Sequence, residues 1–150
     1  MILSSWGECL PHLDGICQVE QECFPLSSWK KSTWQGLFEN HGLILILEFK
    51  EQQLVGFLAF SKLILESELL KVGVLPKYQG QGPAQELLKQ MIELLRKSQT
   101  EQIFLEVRAD NTQAKRFYQR NGFQESGRRK GYYHSPRCDA LLYTKNLEQT

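Results

Sequence analysis

The chain has 150 residues, 41 % of them hydrophobic and 23 % charged, which is typical of one globular domain and not of a disordered protein. Its 18 basic and 17 acidic residues leave a formal net charge of +1, so electrostatics provides no argument for binding to nucleic acid or to a membrane surface. The longest apolar runs, residues 43–47 and 54–60, are too short to span a bilayer. We therefore expect a single cytoplasmic domain over residues 1–150 that contacts neither membrane nor nucleic acid.

The cysteines and histidines show no pattern typical of a metal site. There is no Cys-x-x-Cys pair, and no histidine stands at zinc-site spacing from a cysteine. Isolated thiols most often fill apolar space, and the alternative of a cysteine nucleophile lacks a neighbouring partner residue. We expect neither a metal nor a disulfide. The cysteines are Cys9, Cys17, Cys23 and Cys138.

Two helices are predicted in the N-terminal part of the chain, over residues 10–22 and 30–39. The turn between them contains Pro25, which favours an interruption of the helical pattern. Ser27 or Ser28 stands close enough to the second helix to cap its free N–H groups.

Three strands are predicted next. Two apolar runs, residues 43–49 and 53–61, lie on either side of a short polar segment and predict a hairpin of buried strands. A third strand is predicted over residues 67–75, and Pro76 ends it.

The C-terminal half alternates helical and strand patterns. Apolar residues at helical spacing predict an amphipathic helix over residues 83–97, and alternation predicts a strand over residues 103–108. Two closing strands are predicted at residues 123–129 and 139–146. Helices interleaved with strands predict an α/β-type mixed sheet, with ligands expected at the strand-to-helix junctions.

A second helix of this half is predicted to begin at Asp110 or Asn111, because either side chain can cap its first N–H groups. Phe117 and Tyr118 lie on one face of this helix together with Ala114. Gly122 suits a left-handed C-terminal end of the helix.

The segment between the third strand and the helix at residue 83 has the features of a phosphate-binding loop. Gly80 and Gly82 allow a tight backbone turn close to a ligand, and the helix that follows offers unpaired N–H groups and the positive end of its dipole. A tight turn without a ligand is the alternative. The segment lacks the lysine of a nucleotide triphosphate loop and the third glycine of a dinucleotide fingerprint.

Gln79, Gly82 and Ala84 resemble the Gln/Arg-x-x-Gly-x-Gly/Ala loop of the GNAT acetyltransferases, which holds the pyrophosphate of acetyl-coenzyme A. Because Pro83 has no N–H to donate, we expect Gln81 and its neighbours Gly82 and Ala84 to provide more of the phosphate contact. The resemblance also implies cofactor contacts at Gly80 and along the preceding strand. In that strand the backbone of Val72 and Val74 would pair with the pantetheine arm.

A longer series of residues strengthens this resemblance. The series consists of Leu105-Glu106-Val107-Arg108-Ala109-Asp110-Asn111, Ala114, Phe117-Tyr118, Asn121-Gly122-Phe123, Gly127-Arg128-Arg129-Lys130, Tyr132-Tyr133 and Asp139-Ala140. In order and spacing it resembles the ribosomal-protein-alanine N-acetyltransferase (RimI) branch of the family, over roughly residues 54–146. The resemblance implies a GNAT acyl-CoA N-acyltransferase fold with a mostly antiparallel central sheet flanked by helices. It also implies acetyl-CoA contacts at Asn111 and Phe117.

Two residues in this series fit direct transfer of an acetyl group to an amine. Glu106 could accept the proton of the attacking amine, directly or through a water, and Tyr118 resembles the family's proton donor to the departing thiolate. The alternatives are an ion pair of Glu106 with Arg108 or another basic side chain, and a core role for Tyr118. The basic residues 128–130 are either a solvated run or part of peptide recognition.

The function predicted from the sequence is transfer of acetyl from acetyl-CoA to the N-terminal α-amine of a protein. A lysine side chain or a small-molecule amine is the alternative acceptor. A module that binds acetyl-CoA or a partner without catalysis is the alternative from another class. The oligomeric state is not predictable from the sequence, because the chain contains no sustained heptad pattern.

Overall fold

The computed structural model describes residues 1–147 of the chain. The helices pack beside a sheet of seven strands, as the alternating sequence pattern predicts. The strands are β1 (Ile2–Leu3), β2 (Leu43–Lys50), β3 (Gln53–Lys62), β4 (Glu66–Val74), β5 (Gln102–Arg108), β6 (Gln124–His134) and β7 (Arg137–Asn146). The α-helices are α1 (Trp6–Cys9), α2 (Leu13–Cys23), α3 (Lys31–Asn40), α4 (Pro83–Arg96) and α5 (Thr112–Arg120).

The sheet is mixed, with the strand order β1-β2-β3-β4-β5-β7-β6. Strands β4 and β5 run parallel, whereas the β1–β2, β2–β3, β5–β7 and β6–β7 pairs are antiparallel. This confirms the predicted mixed, mostly antiparallel sheet. Residues 1–62 and 69–95 form one compact unit, and residues 63–68 and 96–147 form another. The prediction of one domain over residues 1–150 stays a prediction.

In the unit of residues 1–62 and 69–95, the core lies between the β2–β3 hairpin and the helices α2 and α3. Strand β3 is buried at seven consecutive positions from Val55 to Ser61, which explains its almost unbroken apolar sequence. The side chain of Trp34 on α3 is fully buried, and its ring packs edge-on against that of Phe57 at 5.5 Å. The predicted hairpin and both N-terminal helices are confirmed, while the short helix α1 and a turn of 3-10 helix at Leu10–His12 were not predicted as separate elements.

The prediction that Ser27 or Ser28 caps the second helix is wrong. Helix α3 begins after Lys30, whose side chain makes no capping hydrogen bond. The hydroxyl of Ser28 instead donates to the backbone carbonyls of Glu20 and Phe24, at 3.3 and 2.7 Å. The segment therefore turns back onto the C-terminal end of α2, where carbonyl groups lack helical partners.

In the other unit, β5 buries Ile103, Leu105 and Val107 and alternates them with half-buried residues, as predicted. The side chain of Asn111 caps α5 by accepting a hydrogen bond from the N–H of Ala114 at 3.1 Å. Gly122 has a φ of 86° just after the helix, which confirms the predicted left-handed ending. The closing strands are confirmed and are longer than predicted, because β6 and β7 continue into a hairpin that reaches His134 and Arg137.

Candidate active site

The loop between β4 and α4 is held in a conformation that requires glycine. Gly80 has a φ of 78° and Gly82 a φ of 103°, a region that other residues rarely adopt. A Cβ atom built on either glycine would meet nothing within 4 Å. The backbone conformation, and not a lack of space, therefore demands glycine, and the open space beside the loop leaves room for a ligand to approach the backbone.

Two glutamine side chains donate hydrogen bonds to backbone carbonyls at the start of this loop. Nε2 of Gln79 donates to the carbonyl of Val74 at 2.9 Å, and Nε2 of Gln81 donates to the carbonyl of Lys77 at 3.0 Å. The backbone N–H of Gln81 also donates, at 3.3 Å, to the carbonyl of Tyr78. These contacts stabilise the turn. Because the Gln81 N–H already has a partner, its predicted phosphate contact would have to share or replace that hydrogen bond.

The predicted cofactor strand ends at Val74, whose carbonyl accepts a hydrogen bond from the Cys23 thiol at 3.0 Å as well as that of Gln79. The next N–H, that of Leu75, donates to the carbonyl of Val55. The end of β4 is thus fixed to α2 on one side and to the glycine loop on the other. Backbone pairing of Val72 and Val74 with a ligand stays a prediction.

Glu106 lies on β5 with 26 % of its side chain exposed, and its Oε1 is 3.2 Å from Nη2 of Arg129 on β6. The alternative pairing of Glu106 with Arg108 is wrong, because Arg108 forms a two-point ion pair with Asp110 instead. The other alternative, a pair with another basic side chain, is confirmed by Arg129. That arginine is 60 % exposed, so water screens the pair and the carboxylate is not locked to it.

A second carboxylate, Glu68, lies beside Glu106 and was not among the predicted site residues. Glu68 on β4 is in register with Phe104 on β5, two residues before Glu106, so both carboxylates belong to the same face of the sheet. Burial, and after it the negative charge of Glu106, raises the pKa of Glu68. The sequence signal that could have found Glu68 is an acidic residue inside a predicted strand. The structure shows that its neighbours Ser67 and Leu69 are buried.

Tyr118 on α5 is only 6 % exposed. Its ring packs edge-on against those of Phe117 and Phe123, with centroids 5.4 Å away in each case. Burial raises the pKa of Tyr118, which makes the phenol a weaker acid than an exposed tyrosine, and both are protonated at neutral pH. The buried ring contacts fit the core alternative, and the role of Tyr118 as proton donor stays a prediction. The cofactor contacts predicted for Asn111 and Phe117 stay predictions.

All four cysteines are free thiols in the structure, and the expectation of no disulfide stays a prediction. Within residues 1–147, no group of three or more histidine, cysteine, aspartate or glutamate side chains could hold a metal ion. No helix in that part of the chain is long and apolar enough to cross a membrane.

Comparison with known proteins identifies the family. A family model described as "Acetyltransferase (GNAT) family" matches residues 10–123. The chain belongs to the GNAT acetyltransferase family. It is 35 % identical to a [ribosomal protein bS18]-alanine N-acetyltransferase of Haemophilus ducreyi over 123 residues, which cover 81 % of this chain and 82 % of that protein.

Solved structures agree with this family assignment. The crystal structure of the ribosomal-protein-S18-alanine N-acetyltransferase from Escherichia coli superimposes with a TM-score of 0.82 at 27 % identity, covering 100 % of this chain and 95 % of that one. A GNAT family acetyltransferase from Elizabethkingia anophelis, solved with acetyl-CoA bound, shares the fold with a TM-score of 0.72 at 18 % identity over 87 % of this chain and 90 % of that one. The predicted family, GNAT fold and acetyl-CoA-dependent acetyltransferase activity are therefore confirmed.

Proposed function

We propose that this GNAT enzyme acetylates the α-amine at the N-terminus of a protein, and that its acceptor is a ribosomal protein beginning with alanine. The observation that supports this reaction is the environment of Glu106. Its carboxylate is partly exposed, its ion pair with Arg129 is screened by water, and a second carboxylate, that of Glu68, lies nearby. The acceptor class is supported by the relatives named as alanine N-acetyltransferases of ribosomal protein bS18.

The loop from Gln79 to Ala84 supports binding of the donor. Acetyl-CoA supplies an acetyl thioester, and its pyrophosphate is an anion that a glycine turn at a helix N-terminus suits. The open space at Gly80 and Gly82 fits this group, since neither glycine has a heavy atom within 4 Å of an added Cβ. Gly82 and Ala84 would hold the pyrophosphate through backbone N–H groups, while Gln79 keeps the turn in shape through Val74.

The amine must lose a proton before it attacks a thioester. An N-terminal α-amine has a pKa of about 8, whereas a lysine side chain has one of about 10.4, so a carboxylate base deprotonates the α-amine with less difficulty. Glu106 takes this proton, directly or through a water, and Arg129 is exposed enough to release it for that task. Glu68 lies on the same face of the sheet as Glu106, and in its ionised form it adds negative charge there, which favours an incoming ammonium group.

The departing thiolate then needs a proton. Tyr118 donates it from its phenol, which carries a proton at neutral pH as tyrosine side chains ordinarily do. No covalent enzyme intermediate is needed for this sequence of steps, because the amine attacks the thioester directly.

The test is mass spectrometry of peptides after incubation with the protein and acetyl-CoA. The panel varies the first residue and includes lysine-containing peptides whose α-amine is blocked. We expect a gain of about 42 Da on free N-termini, largest for peptides that begin with alanine, and no gain on the blocked controls. Acetylation of the blocked peptides alone would replace the proposal with a lysine acetyltransferase.

A further inference from the structure

Arg129 on β6 lies between the carboxylate of Glu106 and the ring of Tyr132, and all three residues belong to the compact unit of residues 63–68 and 96–147. Its Nη2 is 3.2 Å from Oε1 of Glu106, and its Cζ is 5.4 Å from the centroid of the Tyr132 ring. A guanidinium over the face of a tyrosine ring is attracted by the electrons of that ring. The guanidinium therefore has two favourable contacts, one with a charged group and one with an uncharged group.

The contact with Tyr132 depends on an irregularity in β6. Side chains three residues apart in a regular strand lie on opposite faces of the sheet, so Arg129 and Tyr132 would not meet there. The register of β6 against β7 shifts between Arg129 and Tyr133, and Gly131 within this stretch has a φ of 59°. The backbone N–H of Gly131 donates to Oδ1 of Asp139 on β7 at 2.9 Å, which stabilises the irregular backbone. The fold thus brings an aromatic ring to the arginine that pairs with the proposed base.

The pair between Arg129 and Glu106 is weak enough to be exchanged. The two side chains are 60 % and 26 % exposed, so water screens their attraction. Exposed pairs of this kind favour the paired state by about fivefold at most. Another cation can therefore replace the guanidinium at a small cost in free energy, and the ring of Tyr132 still attracts the guanidinium that has left Glu106.

The acceptor amine reaches the enzyme as a cation. An N-terminal α-amine has a pKa of about 8, so it is mostly protonated at neutral pH, and in the proposed reaction Glu106 takes its proton. The ammonium must approach that carboxylate to hydrogen-bond distance, or to within one water of it. The guanidinium of Arg129 already contacts the same carboxylate, and two cations held there repel each other. Binding of the ammonium therefore favours departure of the guanidinium.

We propose that Arg129 occupies, in the free enzyme, the place beside Glu106 that the ammonium of the acceptor takes, and thereby raises the KM for the acceptor. This inference rests on the proposed function, because it requires Glu106 to be the base. Only enzyme molecules with an open pair bind the acceptor, so the apparent dissociation constant rises by the inverse of the open fraction. The exchange favours cationic acceptors, because a neutral molecule would displace the guanidinium without replacing its charge. No covalent bond is made or broken when the two cations exchange.

Steady-state kinetics with the Arg129→Gln variant test this inference. Glutamine keeps a polar side chain on the exposed strand and removes the charge. We expect the acceptor KM to fall about two- to fivefold, as an exposed pair of this strength implies, while kcat and the acetyl-CoA KM change less than about twofold. An acceptor KM that rises, or that falls less than about twofold, would overturn the proposal. A larger loss of kcat would also overturn it, because Arg129 would then take part in the transfer itself.

Arg128→Gln is the matched control. Arg128 is 48 % exposed on the same strand, and it pairs with Asp139 at 3.0 Å and with Glu125 at 3.6 Å. Its substitution removes the same charge from β6 without opening the pair of Glu106, so the acceptor KM should stay within about twofold of the wild-type value. An equal fall in both variants would show that the net charge of this surface, and not the contact with Glu106, sets the KM, and would overturn the proposal.

A binding measurement provides a readout that needs no turnover. Alaninamide carries an α-ammonium, and lactamide is its neutral analogue with a hydroxyl in that position. The NMR signal of the Glu106 carboxyl carbon should shift with alaninamide, at an about two- to fivefold lower concentration in Arg129→Gln than in the wild type, and should not shift with lactamide. Equal midpoints in the two proteins, no shift in either, or an equal response to lactamide would overturn the inference.

The two experiments separate this inference from the proposed function. If the wild-type protein acetylates no peptide, the proposed function fails, and the alaninamide titration still decides whether Arg129 competes with a cation at Glu106. If the wild type is active and Arg129→Gln keeps its acceptor KM, only the present inference fails.

Discussion

Replacing Glu106 by glutamine separates its role as a base from its role in an ion pair. The substitution keeps the size of the side chain and removes the charge. The lost pair joins Glu106 to Arg129 over 3.2 Å, with side chains that are 26 % and 60 % exposed. Exposed pairs of this kind contribute about 0–1 kcal/mol to the free energy of unfolding, so the melting temperature should fall by a few degrees at most. Loss of a general base should lower kcat by about 10²–10⁴-fold.

Glu125→Gln is a matched control for this prediction. Glu125 forms a similarly exposed pair with Arg128 at 3.6 Å, and it has no proposed catalytic role. The two variants should therefore have similar melting temperatures, measured by calorimetry, while kcat, measured by release of free thiol from acetyl-CoA, should fall only in Glu106→Gln. Equal kcat values in the two variants would refute the assignment of Glu106 as the base.

The same variant makes a prediction about Glu68. Since the charge of Glu106 is the second cause that raises the pKa of Glu68, its removal should lower that pKa toward the ordinary range. Carboxyl carbon shifts recorded by NMR during a pH titration measure this change. A Glu68 pKa that is the same in Glu106→Gln and in the wild type would show that the two carboxylates do not interact.

Three further substitutions test the remaining site residues. A carboxyl group whose pKa is raised by folding destabilises the folded state at pH values above that pKa, so Glu68→Gln should raise the melting temperature at pH 7 relative to the wild type. This gain should shrink toward pH 4, where the group is protonated in a larger fraction of molecules, and an equal gain at both pH values would contradict the reasoning. Tyr118→Phe keeps the ring contacts and should lower kcat about 10–100-fold with acetyl-CoA binding intact, whereas an unchanged kcat would leave Tyr118 a core residue. Gly82→Ala should weaken acetyl-CoA binding in calorimetric titration through about 1–3 kcal/mol of backbone strain, while Gly7→Ala, at a glycine with equal room and no positive φ, should not.

The elements were predictable where local chemistry dominates. Apolar residues such as Leu87 and Met91 recur at the helical period, and they are the residues that α4 buries. Asn111 caps α5 through a hydrogen bond to a residue three positions away, and Gly122 ends the helix through its own backbone conformation. Such features involve residues close in the chain, so the sequence pattern contains them directly.

The candidate site was predictable only in part. Glu106 and Tyr118 were identified from a family motif, and the structure shows Glu106 partly exposed beside Arg129 and Tyr118 buried among aromatic rings. Their roles in catalysis stay predictions until the variants above are measured. The role of Ser28 was predicted wrongly, because the segment turns back on α2 and directs the hydroxyl away from α3.

By itself, the sequence determined the order and type of the main elements, the glycine loop and the family to which the chain belongs. Tertiary structure alone decided that Arg129 and not Arg108 is the partner of Glu106, and that Glu68 lies beside it. It also placed Lys71 against Glu20, which is 51 residues away in the chain. These contacts depend on strand register and on the packing of a helix against the sheet. Periodicity along the chain specifies which face of an element a residue occupies, but it does not specify which distant residue that side chain contacts.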